Sequence, residues 1–407
     1  MTSPARAAPK PTMYVPYMSD HAFGVAGAMR AYGLPAQVLP RPDAETLRIG
    51  LSVCKGRECL PCFVTVGEMI RKGREPGFNP ADARFLVPTS PGPCRFGQYS
   101  VLQRDILAQN GLGDVEIVSP TSENAYKGFG PDPTRTRALV SQGISAIDLL
   151  QKLLHEFRPF ERQPGATDRA YQESLDDVVA ALERGGGKTL TGAMRRAADR
   201  FAPLPRNDGS RPAVGLVGEI YLRLNAAANQ EIIRSVESAG GYVVMATFSE
   251  WLEYTNWSRI ERSWVKHDWA DVGRAKLLDW YQWNVERRLL APVAPLLRHG
   301  HERSVAELMD YIRPFYEPLL GTEAVLTMGK AVDMARNGMS GILHVMPFSC
   351  MPGIIVTGMA SKVREAIGGI PWLDLSYDGQ EKTNVRTRLE AFMHQVFQQQ
   401  RRKLAVS

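Results

Sequence analysis

Cysteine is scarce in this sequence: the 407 residues contain five, and four of them lie between Cys54 and Cys94. Long apolar runs are missing too, because no stretch approaches the roughly 20 residues that a membrane-spanning helix needs. The first eleven residues are rich in proline and alanine but lack the apolar core of an export signal. We therefore expect a cytoplasmic protein without membrane contacts. In a reducing compartment, clustered cysteines serve metal or redox chemistry more often than structural disulfides.

The sequence has no concentrated positive charge, although its net charge is +6 and its pI is near 9.0. Basic residues are spread along the chain, and the one compact run, Arg401-Arg402-Lys403, is typical of a solvated helix end. We therefore expect no nucleic-acid partner. Six of the seven tryptophans fall in a helical region, and without a basic stripe beside them we predict that they pack between helices. These six are Trp251, Trp257, Trp264, Trp269, Trp280 and Trp283.

A phosphate-binding loop is missing as well. The segment RGGGKTLTG, from Arg184 to Gly192, contains a Gly-Lys-Thr run, but the Walker motif needs a glycine five residues before its Gly-Lys pair. Leu182 occupies that position. A helical pattern rather than a strand precedes the segment, so we interpret it as a helix break. Any ATP-driven step would need a separate protein.

Short apolar runs alternate with helical patterns along most of the chain. This alternation predicts parallel sheets with helices on their faces. Because a chain of 45.1 kDa exceeds what one core usually fills, we expect two α/β lobes with additional helices. The predicted strands are Met13–Pro16, Gln37–Pro40, Phe85–Pro88, Val115–Ser119, Ala213–Ile220, Tyr242–Thr247, Gly341–Met346 and Trp372–Leu375.

The same patterns divide the chain into successive regions. Residues 1–11 read as a disordered leader and residues 12–135 as an N-terminal α/β lobe. A helical segment spans 136–202, and the run PLPRNDGSR within 203–211 is a linker. Residues 212–407 then form a C-terminal α/β lobe with a helical insertion at 249–338.

The cysteines carry the chemistry of the sequence. Cys59 and Cys62 lie in GRECLPCF, at the predicted start of a helix, where free N–H groups can hold anionic sulfur. Cys94, in SPGPCRFGQY, and Cys350, in PFSCMPG, each follow a predicted strand and are flanked by proline and glycine. If the two lobes present their strand ends to a common cleft, Cys350 can face the other four cysteines.

Four thiolates, or three with an open position, match the ligand set of an iron–sulfur cluster. A CxxC pair by itself also serves zinc sites and dithiol redox chemistry, and cysteines can be unliganded core residues. The residue pattern favours the iron–sulfur interpretation and leaves these three alternatives open.

Five segments carry a family resemblance: YVPYMSDHAFGVAGAMRAYG, GRECLPCF, PGPCRFGQY, GLVGEIYLRLN and HVMPFSCMPG. They are similar to segments of the 2-hydroxyglutaryl-CoA dehydratase-related proteins, which include the 2-hydroxyacyl-CoA dehydratase and double-cubane cluster types. More narrowly, they resemble the dehydratase-like portion associated with ATP-dependent acyl-CoA dehydratase activases. The resemblance covers roughly residues 12 to 400.

The resemblance implies two Rossmann-like lobes with a [4Fe-4S] or double-cubane cluster in the cleft between them. Carried over by residue, the ligands are Cys59, Cys94 and Cys350, with Cys62 as the fourth ligand or a close neighbour, and Cys54 is a spare thiol. Five cysteines cannot supply six thiolates, so a double cubane would need a partner subunit or a non-cysteine ligand. A single cubane is the simpler expectation.

The resemblance also implies an activity. A separate ATP-dependent activase would supply low-potential electrons, and the chain would pass them to an acyl-CoA or related small molecule in a radical dehydration or a reduction. This would make it a lyase or reductase component, with a homodimer as the implied assembly. Two other classes stay open: an iron–sulfur scaffold or electron carrier without its own substrate, and a zinc-stabilised binding module.

Polar residues near the predicted strand ends are the candidates for positioning a substrate or supplying a proton. Each has a plainer alternative: His21 as a surface residue at a helix start, Glu219 and Arg223 as a structural ion pair, and Gln98 and Tyr99 as residues that close the Cys94 loop. The catalytic candidates are Glu219, Arg223, His21 and Ser349, and the candidates for cofactor binding are Arg95, Gln98 and Tyr99.

Overall fold

A computed structural model describes residues 10–89, 92–121, 124, 126–207, 210–300, 302–380 and 384–406. Within these residues the chain forms two four-stranded sheets, each entirely parallel, with helices packed on them. The predicted α/β class with two Rossmann-like lobes is therefore confirmed. None of the helices in the described part of the chain is both long and apolar enough to cross a membrane.

The first sheet has the order β2-β1-β3-β4, and the second has the order β6-β5-β7-β8. The two sheets share one topology, in which the first strand in sequence lies between the second and the third. The strands are β1 (Thr12–Val15), β2 (Ala36–Val38), β3 (Ala83–Leu86), β4 (Glu116–Val118), β5 (Ala213–Gly218), β6 (Tyr242–Met245), β7 (Gly341–Pro347) and β8 (Trp372–Tyr377).

The helices follow the predicted alternation. The first lobe holds α1 (His21–Ala31), α2 (Ala44–Val53), α3 (Leu60–Gly73) and α4 (Tyr99–Gln109), and the segment after it holds α5 (Pro133–Phe157), α6 (Ala166–Glu183) and α7 (Lys188–Phe201). The second lobe holds α8 (Ile220–Leu224), α9 (Ile232–Ser238), α10 (Ser249–Val265), α11 (Trp269–Leu290), α12 (Val305–Ile312), α13 (Glu323–Arg336), α14 (Met351–Ala366) and α15 (Val385–Val406).

Each sheet reverses its winding direction beside its first strand. In sheets of this kind, ligands bind outside the carboxyl ends of the strands at that reversal point. In the second lobe the reversal lies between β5 and β7, and these strands lead directly into Glu219 and Cys350. In the first lobe it lies between β1 and β3, and the chain after β3 leads to Cys94. The topology thus puts the predicted site residues where this fold binds ligands.

A shared apolar core joins the two lobes. Leu60, Phe63 and Val64 of α3 pack in one cluster with buried side chains of β5, β7, β8 and α15. A buried hydrogen bond adds to this contact, because Asn225 Nδ2 donates to the Tyr17 carbonyl oxygen at 3.0 Å. Since α3 begins at Cys59, this packing fixes one cysteine of the first lobe against the second lobe.

Two details differ from the sequence prediction, and a third prediction falls mostly on residues that are not described. The strand expected over Ala213–Ile220 ends at Gly218, whose φ of +120° turns the chain, and Glu219 then caps the short helix α8. The tryptophan prediction is wrong for four of the six residues, since only Trp251 and Trp257 pack in a core cluster. Most of the predicted leader lies outside the described residues, although Lys10 Nζ donates to the Gly33 carbonyl oxygen at 3.2 Å.

Helices α2 and α3 approach each other through two glycines. A Cβ atom on Gly67 would lie 2.1 Å from the Thr46 carbonyl oxygen, and one on Gly50 would lie 1.9 Å from the Phe63 carbonyl oxygen. No side chain fits at these distances. The contact holds the C-terminus of α2, and with it Cys54, against the first turn of α3.

Replacing Gly67 by alanine should therefore destabilise the fold. We expect the free energy of unfolding to fall by about 2 kcal/mol, because the two helix backbones must separate. Gly358→Ala on α14 is the matched control: nothing lies within 4 Å of its Cβ position, so alanine should stabilise that helix by up to about 1 kcal/mol. Urea unfolding of both variants measures the difference, and equal stabilities would contradict the close approach.

Candidate functional site

Three cysteines occupy the same structural position in three different loops. Each is the residue that immediately precedes a helix: Cys59 before α3, Cys94 before the 3-10 turn Arg95–Gln98 that leads into α4, and Cys350 before α14. Proline in the first turn of α3 and of α14 starts both helices, since its missing N–H would be unpaired there in any case. Free N–H groups at such positions favour anionic sulfur.

The Cys59 thiol acts electrostatically on thiols of both lobes. Loss of hydration raises the pKa of Cys59 and Cys350, which are buried, and of Cys94, which is exposed at the surface, and the Cys59 thiol contributes to the raised pKa of each of the other two. The nearby N–H groups of Phe96 and Gly353 act in the opposite direction on Cys94 and Cys350. Sulfurs from loops that are up to 291 positions apart in sequence (350 − 59) thus share one electrostatic environment.

Arg95 ties the three loops together. One guanidinium nitrogen donates to the Arg57 carbonyl oxygen at 2.5 Å, beside Cys59. The other donates to the Ser349 carbonyl oxygen at 2.5 Å and to its Oγ at 3.1 Å, beside Cys350. Arg95 itself follows Cys94, so a single side chain links the neighbours of all three cysteines and joins the two lobes.

Ser349 has an unusual backbone conformation. Its φ is +56°, in the left-handed region that residues other than glycine rarely adopt. Such strain persists only where the surrounding structure enforces it, and it concentrates at functional sites. Here the strained residue turns the chain from the end of β7 to Cys350 and places its carbonyl oxygen against Arg95.

Two carboxyl groups lie beside the cysteines. Glu219 caps α8, where its carboxylate accepts the Leu222 N–H at 2.9 Å. Glu323 begins α13, and its carboxyl lies close to the Ile220 N–H. Burial raises the pKa of Glu219 to about 7, and burial together with the Glu219 charge raises the pKa of Glu323 to about 8. The pair therefore holds at least one proton at neutral pH.

Sequence reasoning missed Glu323. No motif marks it, because it follows Thr322 at an ordinary helix start, far from any cysteine in the sequence. The structure reveals it because Glu219, Glu323, His344 and Cys350 line one narrow crevice. Among the described residues the Glu323 Oε1 atom is buried and has no hydrogen-bond partner, so it is free to accept a proton or a bond from a bound molecule.

Cys62 and Cys54 form a separate pair. Cys62 lies in the first turn of α3 with no exposed surface, and its thiol is hydrogen-bonded to that of Cys54. This hydrogen bond and burial raise the pKa of Cys62 well above the usual range for a thiol. On its other side, Gln103 Nε2 approaches the Cys62 sulfur at 3.9 Å. Cys62 is thus a neighbour of Cys59 with partners of its own.

His21 lies in a different network. It is buried rather than on the surface, with Nδ1 at 2.7 Å from Ser19 Oγ and Nε2 at 3.1 Å from Asp148 Oδ1. Asp148 also accepts the backbone N–H groups of Phe248 and Ser249 at the start of α10. These bonds connect α1, α5 and the second lobe, so the contacts of His21 support the fold rather than the cysteine loops.

Three candidate residues from the sequence remain: Tyr99, Arg223 and Gln98. The Tyr99 hydroxyl is hydrogen-bonded to the Cys59 sulfur and is buried, which raises the pKa of Tyr99. Arg223 is buried behind Glu219, with one guanidinium nitrogen donating to the Thr247 carbonyl oxygen at 3.1 Å. Gln98 is exposed at the start of α4.

The donor set suits an iron–sulfur cluster better than a single metal ion. Thiolates are the ligands that clusters require, and the three cysteines here stand at three helix starts whose neighbouring residues Arg95 links. In the described part of the chain, no group of three or more His, Cys, Asp or Glu side chains is arranged to hold a metal ion. A cubane is larger than one ion, so its ligand sulfurs need not be in mutual contact. Binding would displace protons from these thiols, whose pKa values are raised.

Comparison with known proteins adds no assignment. No protein-family model matches this chain, and no curated protein matches it. The site is therefore interpreted from its own residues.

The carboxyl pair should make stability depend on pH. Both carboxyls have a higher pKa in the fold than the ordinary value of 4.5, so the folded chain binds protons more tightly than the unfolded chain between about pH 4.5 and pH 8. Their stabilising contribution is complete below that window and is lost as the pH rises through it. The Glu323→Gln chain should lose less stability over this range. Between pH 5 and pH 9 its free energy of unfolding should therefore rise by roughly 3 kcal/mol relative to that of the wild type.

Urea unfolding of the cluster-free chain across that range measures the effect. Glu365→Gln, at an exposed position on α14, is the matched control and should track the wild type at every pH. A constant difference between Glu323→Gln and the wild type would show that the Glu323 carboxyl titrates normally.

Proposed function

We propose that this chain is an iron–sulfur protein of the 2-hydroxyacyl-CoA dehydratase type. In this proposal it accepts low-potential electrons from a separate ATP-dependent activase and delivers them to a small-molecule acceptor. The observation that supports the proposal is the position of Cys59, Cys94 and Cys350, from both lobes, at three helix starts whose neighbouring residues Arg95 connects. Three thiolates with an open position match a cluster that also meets a substrate.

The residues of the chain would hold the cluster and its surroundings. Cys59, Cys94 and Cys350 would be its ligands, with Tyr99 hydrogen-bonded to the first of them. When bound, the cluster supplies single electrons at low potential. The N-terminal dipoles of α3 and α14 would stabilise its negative charge, and Arg95 would keep the two lobes closed over it.

Glu219 and Glu323 would hold and donate the proton that the dehydration or reduction needs. Their shared proton lies beside Cys350 at neutral pH, and an acid whose pKa is near the working pH is the most effective proton donor. Arg223, behind Glu219, would keep that carboxyl oriented. These roles suit both a dehydration, in which a hydroxyl group leaves as water, and a reduction that adds a proton and an electron.

One observation favours a second candidate, an electron carrier without a substrate of its own. The crevice beside Cys350 has no room for a water-sized molecule, with a volume of about 0 Å³, whereas typical ligand pockets begin at roughly 300 Å³. An acyl-CoA thioester would need the lobes to open further, whereas electron transfer to another protein would not.

Anaerobic purification followed by iron, sulfide and zinc analysis tests the proposal. We expect a brown protein with about four iron atoms per chain, whose visible spectrum bleaches only with an activase and ATP. A colourless protein with one tightly bound zinc would overturn it. Mixing the reduced protein with 2-hydroxyacyl-CoA thioesters then separates the two candidates, because only the dehydratase should be reoxidised or turn over.

A further inference from the structure

The hairpin formed by α10 and α11 exposes tryptophan on its outer side. Four of its tryptophans have more than half of their surface exposed: 53% for Trp264, 56% for Trp269, 60% for Trp280 and 53% for Trp283. Leu277, at 66%, is more exposed still. Single exposed apolar residues are ordinary on proteins, but a group of large aromatic residues in one place is not.

These side chains follow one side of α11. At 100° per residue, Trp269, Trp280 and Trp283 fall within about 60° of one another around the helix. Trp264, near the end of α10, joins them, because its ring packs edge-on against that of Trp269 with the centroids 4.9 Å apart. A tryptophan offers up to about 250 Å², so the four side chains present about 550 Å², near the upper end of the largest apolar patches on typical monomers. We call this surface the tryptophan ridge, and it comprises Trp264, Val265, Trp269, Leu277, Trp280 and Trp283.

The charges on the ridge side of α11 are positive. Lys276 and Arg287 fall inside the arc that the three tryptophans of α11 occupy. Lys276 Nζ lies 5.9 Å from the centroid of the Trp264 ring, and the Arg287 guanidinium lies 4.4 Å from that of the Trp283 ring. Three further exposed cations flank the ridge: Lys266, Arg274 and Arg288.

The carboxylates of α11 lie outside this arc and contact α10. Asp271 pairs with an arginine of α10, Asp279 accepts a hydrogen bond from an asparagine of α10 at 3.3 Å, and the half-buried Glu286 is hydrogen-bonded to another carboxyl of that helix. Asp268 is exposed at the start of α11, where Lys266 is also exposed. Between residues 264 and 290, five exposed cations thus stand against two exposed carboxylates, so the ridge favours an anionic partner.

The positions of these cations distinguish among anionic partners. Bases of a nucleic acid need free ring faces to stack on, but Arg287 already lies over Trp283, and Trp264 is packed against Trp269. A covering protein would remove the water from Lys276, which lies among the tryptophans, and lysine is depleted at the centres of protein interfaces. At a lipid surface, in contrast, long cationic side chains reach the phosphates while indoles lie at the level of the headgroups.

We propose that the tryptophan ridge is a peripheral membrane-binding surface for anionic phospholipids. Trp280, Trp283 and Leu277 enter the headgroup layer, and Lys276 and Arg287 meet the lipid phosphates. The expectation of no membrane contact rested on the lack of a membrane-spanning segment, and a helix that lies on the surface does not need one. This contact depends only on the hairpin, so it stands or falls separately from the proposed cluster and its activity.

Flotation with lipid vesicles tests the proposal on the full chain, with and without reconstituted iron and sulfide. Vesicles of phosphatidylcholine with about 30 mol% phosphatidylserine should bind the wild type at low salt at least about tenfold more strongly than vesicles of phosphatidylcholine alone. Salt at about 1 M should weaken the binding, because it screens the attraction between the cations and the lipid. The tryptophan fluorescence maximum should shift to shorter wavelength as the indoles leave water.

Two double variants separate the apolar from the ionic contribution. Trp280→Ala/Trp283→Ala should lower the partition coefficient at least about 30-fold, because the two large side chains no longer leave water on binding. Lys276→Gln/Arg287→Gln should lower it about 25-fold at low salt, because two cations no longer meet the anionic surface. The difference between this second variant and the wild type should shrink at high salt.

Arg184→Gln/Lys188→Gln is the matched control, because it removes one arginine and one lysine at exposed positions outside the hairpin, and it should bind as the wild type does. Circular dichroism establishes that each variant is folded, and Leu277→Ala replaces the tryptophan variant if that one is not. A wild type that does not bind anionic vesicles, or binds charged and uncharged vesicles equally, overturns the proposal. So does a folded Trp280→Ala/Trp283→Ala chain that binds as the wild type does, or a ridge that takes an acidic protein or a nucleic acid but no vesicles.

Discussion

Replacing Cys350 by serine should abolish retention of the proposed iron–sulfur cluster. The wild-type chain, reconstituted anaerobically with iron and sulfide, should carry about four iron atoms, and the Cys350→Ser chain should carry background iron only. The reason is that Cys350 is the sole cysteine of the second lobe. Without it the remaining thiols all come from one lobe, and the cluster has no ligand on the other side. Iron and sulfide analysis with the visible spectrum measures the loss.

The other cysteines provide the controls for this experiment. Cys59→Ser and Cys94→Ser should lose iron as Cys350→Ser does, and Cys54→Ser should keep it. The iron content of Cys62→Ser decides whether the proposed cluster has three or four cysteine ligands. The Cys62 thiol lies beside the site but is hydrogen-bonded to the free thiol of Cys54. If Cys350→Ser retains the full iron content of the wild type, the two-lobe cluster is wrong and so is the function proposed from it.

Replacing Lys330 by methionine should strongly destabilise the fold. Lys330 on α13 is buried and pairs with Glu250 and Glu302, and Asp333 lies at 3.8 Å. Removing one partner of a buried ion pair costs about 3–5 kcal/mol, because a charge left behind, here that of Glu250, has neither water nor a counter-ion. We expect the free energy of unfolding at neutral pH to fall by that amount in urea titrations.

The physical cause can be tested with a second substitution. Burial raises the pKa of Glu250 to about 7, even though Lys330 opposes this effect. In Lys330→Met that carboxyl loses its counter-ion, so adding Glu250→Gln should recover part of the lost stability. Lys188→Met, at an exposed position in the first turn of α7, should change stability by less than about 0.5 kcal/mol. A Lys330→Met chain as stable as this control would contradict the account.

This ionic network also bears on the candidate site. Lys152 of α5 pairs with Glu302, which connects the helical segment to the insertion that carries Glu250 and Lys330. Arg223 lies near both Glu250 and the Glu219–Glu323 pair, and it favours the charged form of each. The network therefore fixes α13, and with it Glu323, relative to the cysteine loops. Loss of Lys330 should disturb the site as well as the fold.

The sequence determined the elements that local patterns specify. The alternation of apolar runs with helical spacing was sufficient for two parallel α/β lobes, because side-chain period and turn residues act over a few positions. Asp43 caps α2 through such a local contact, because its carboxylate accepts the Thr46 N–H at 2.9 Å. The helix with Cys59 and Cys62 at its start and the strand that precedes Cys350 followed from the same local signals.

The tertiary structure decided which of these local features meet. Glu323, Arg95 as a link among three loops, and the pairing of Cys62 with Cys54 all depend on contacts between segments that no sequence spacing relates. The tryptophans of α11 were assigned to packing between helices because no basic stripe accompanies them, but their rings are exposed while Val272, Ala275 and Leu289 of the same helix are buried. Burial is a property of the packed chain, so composition alone could not tell which face would remain exposed.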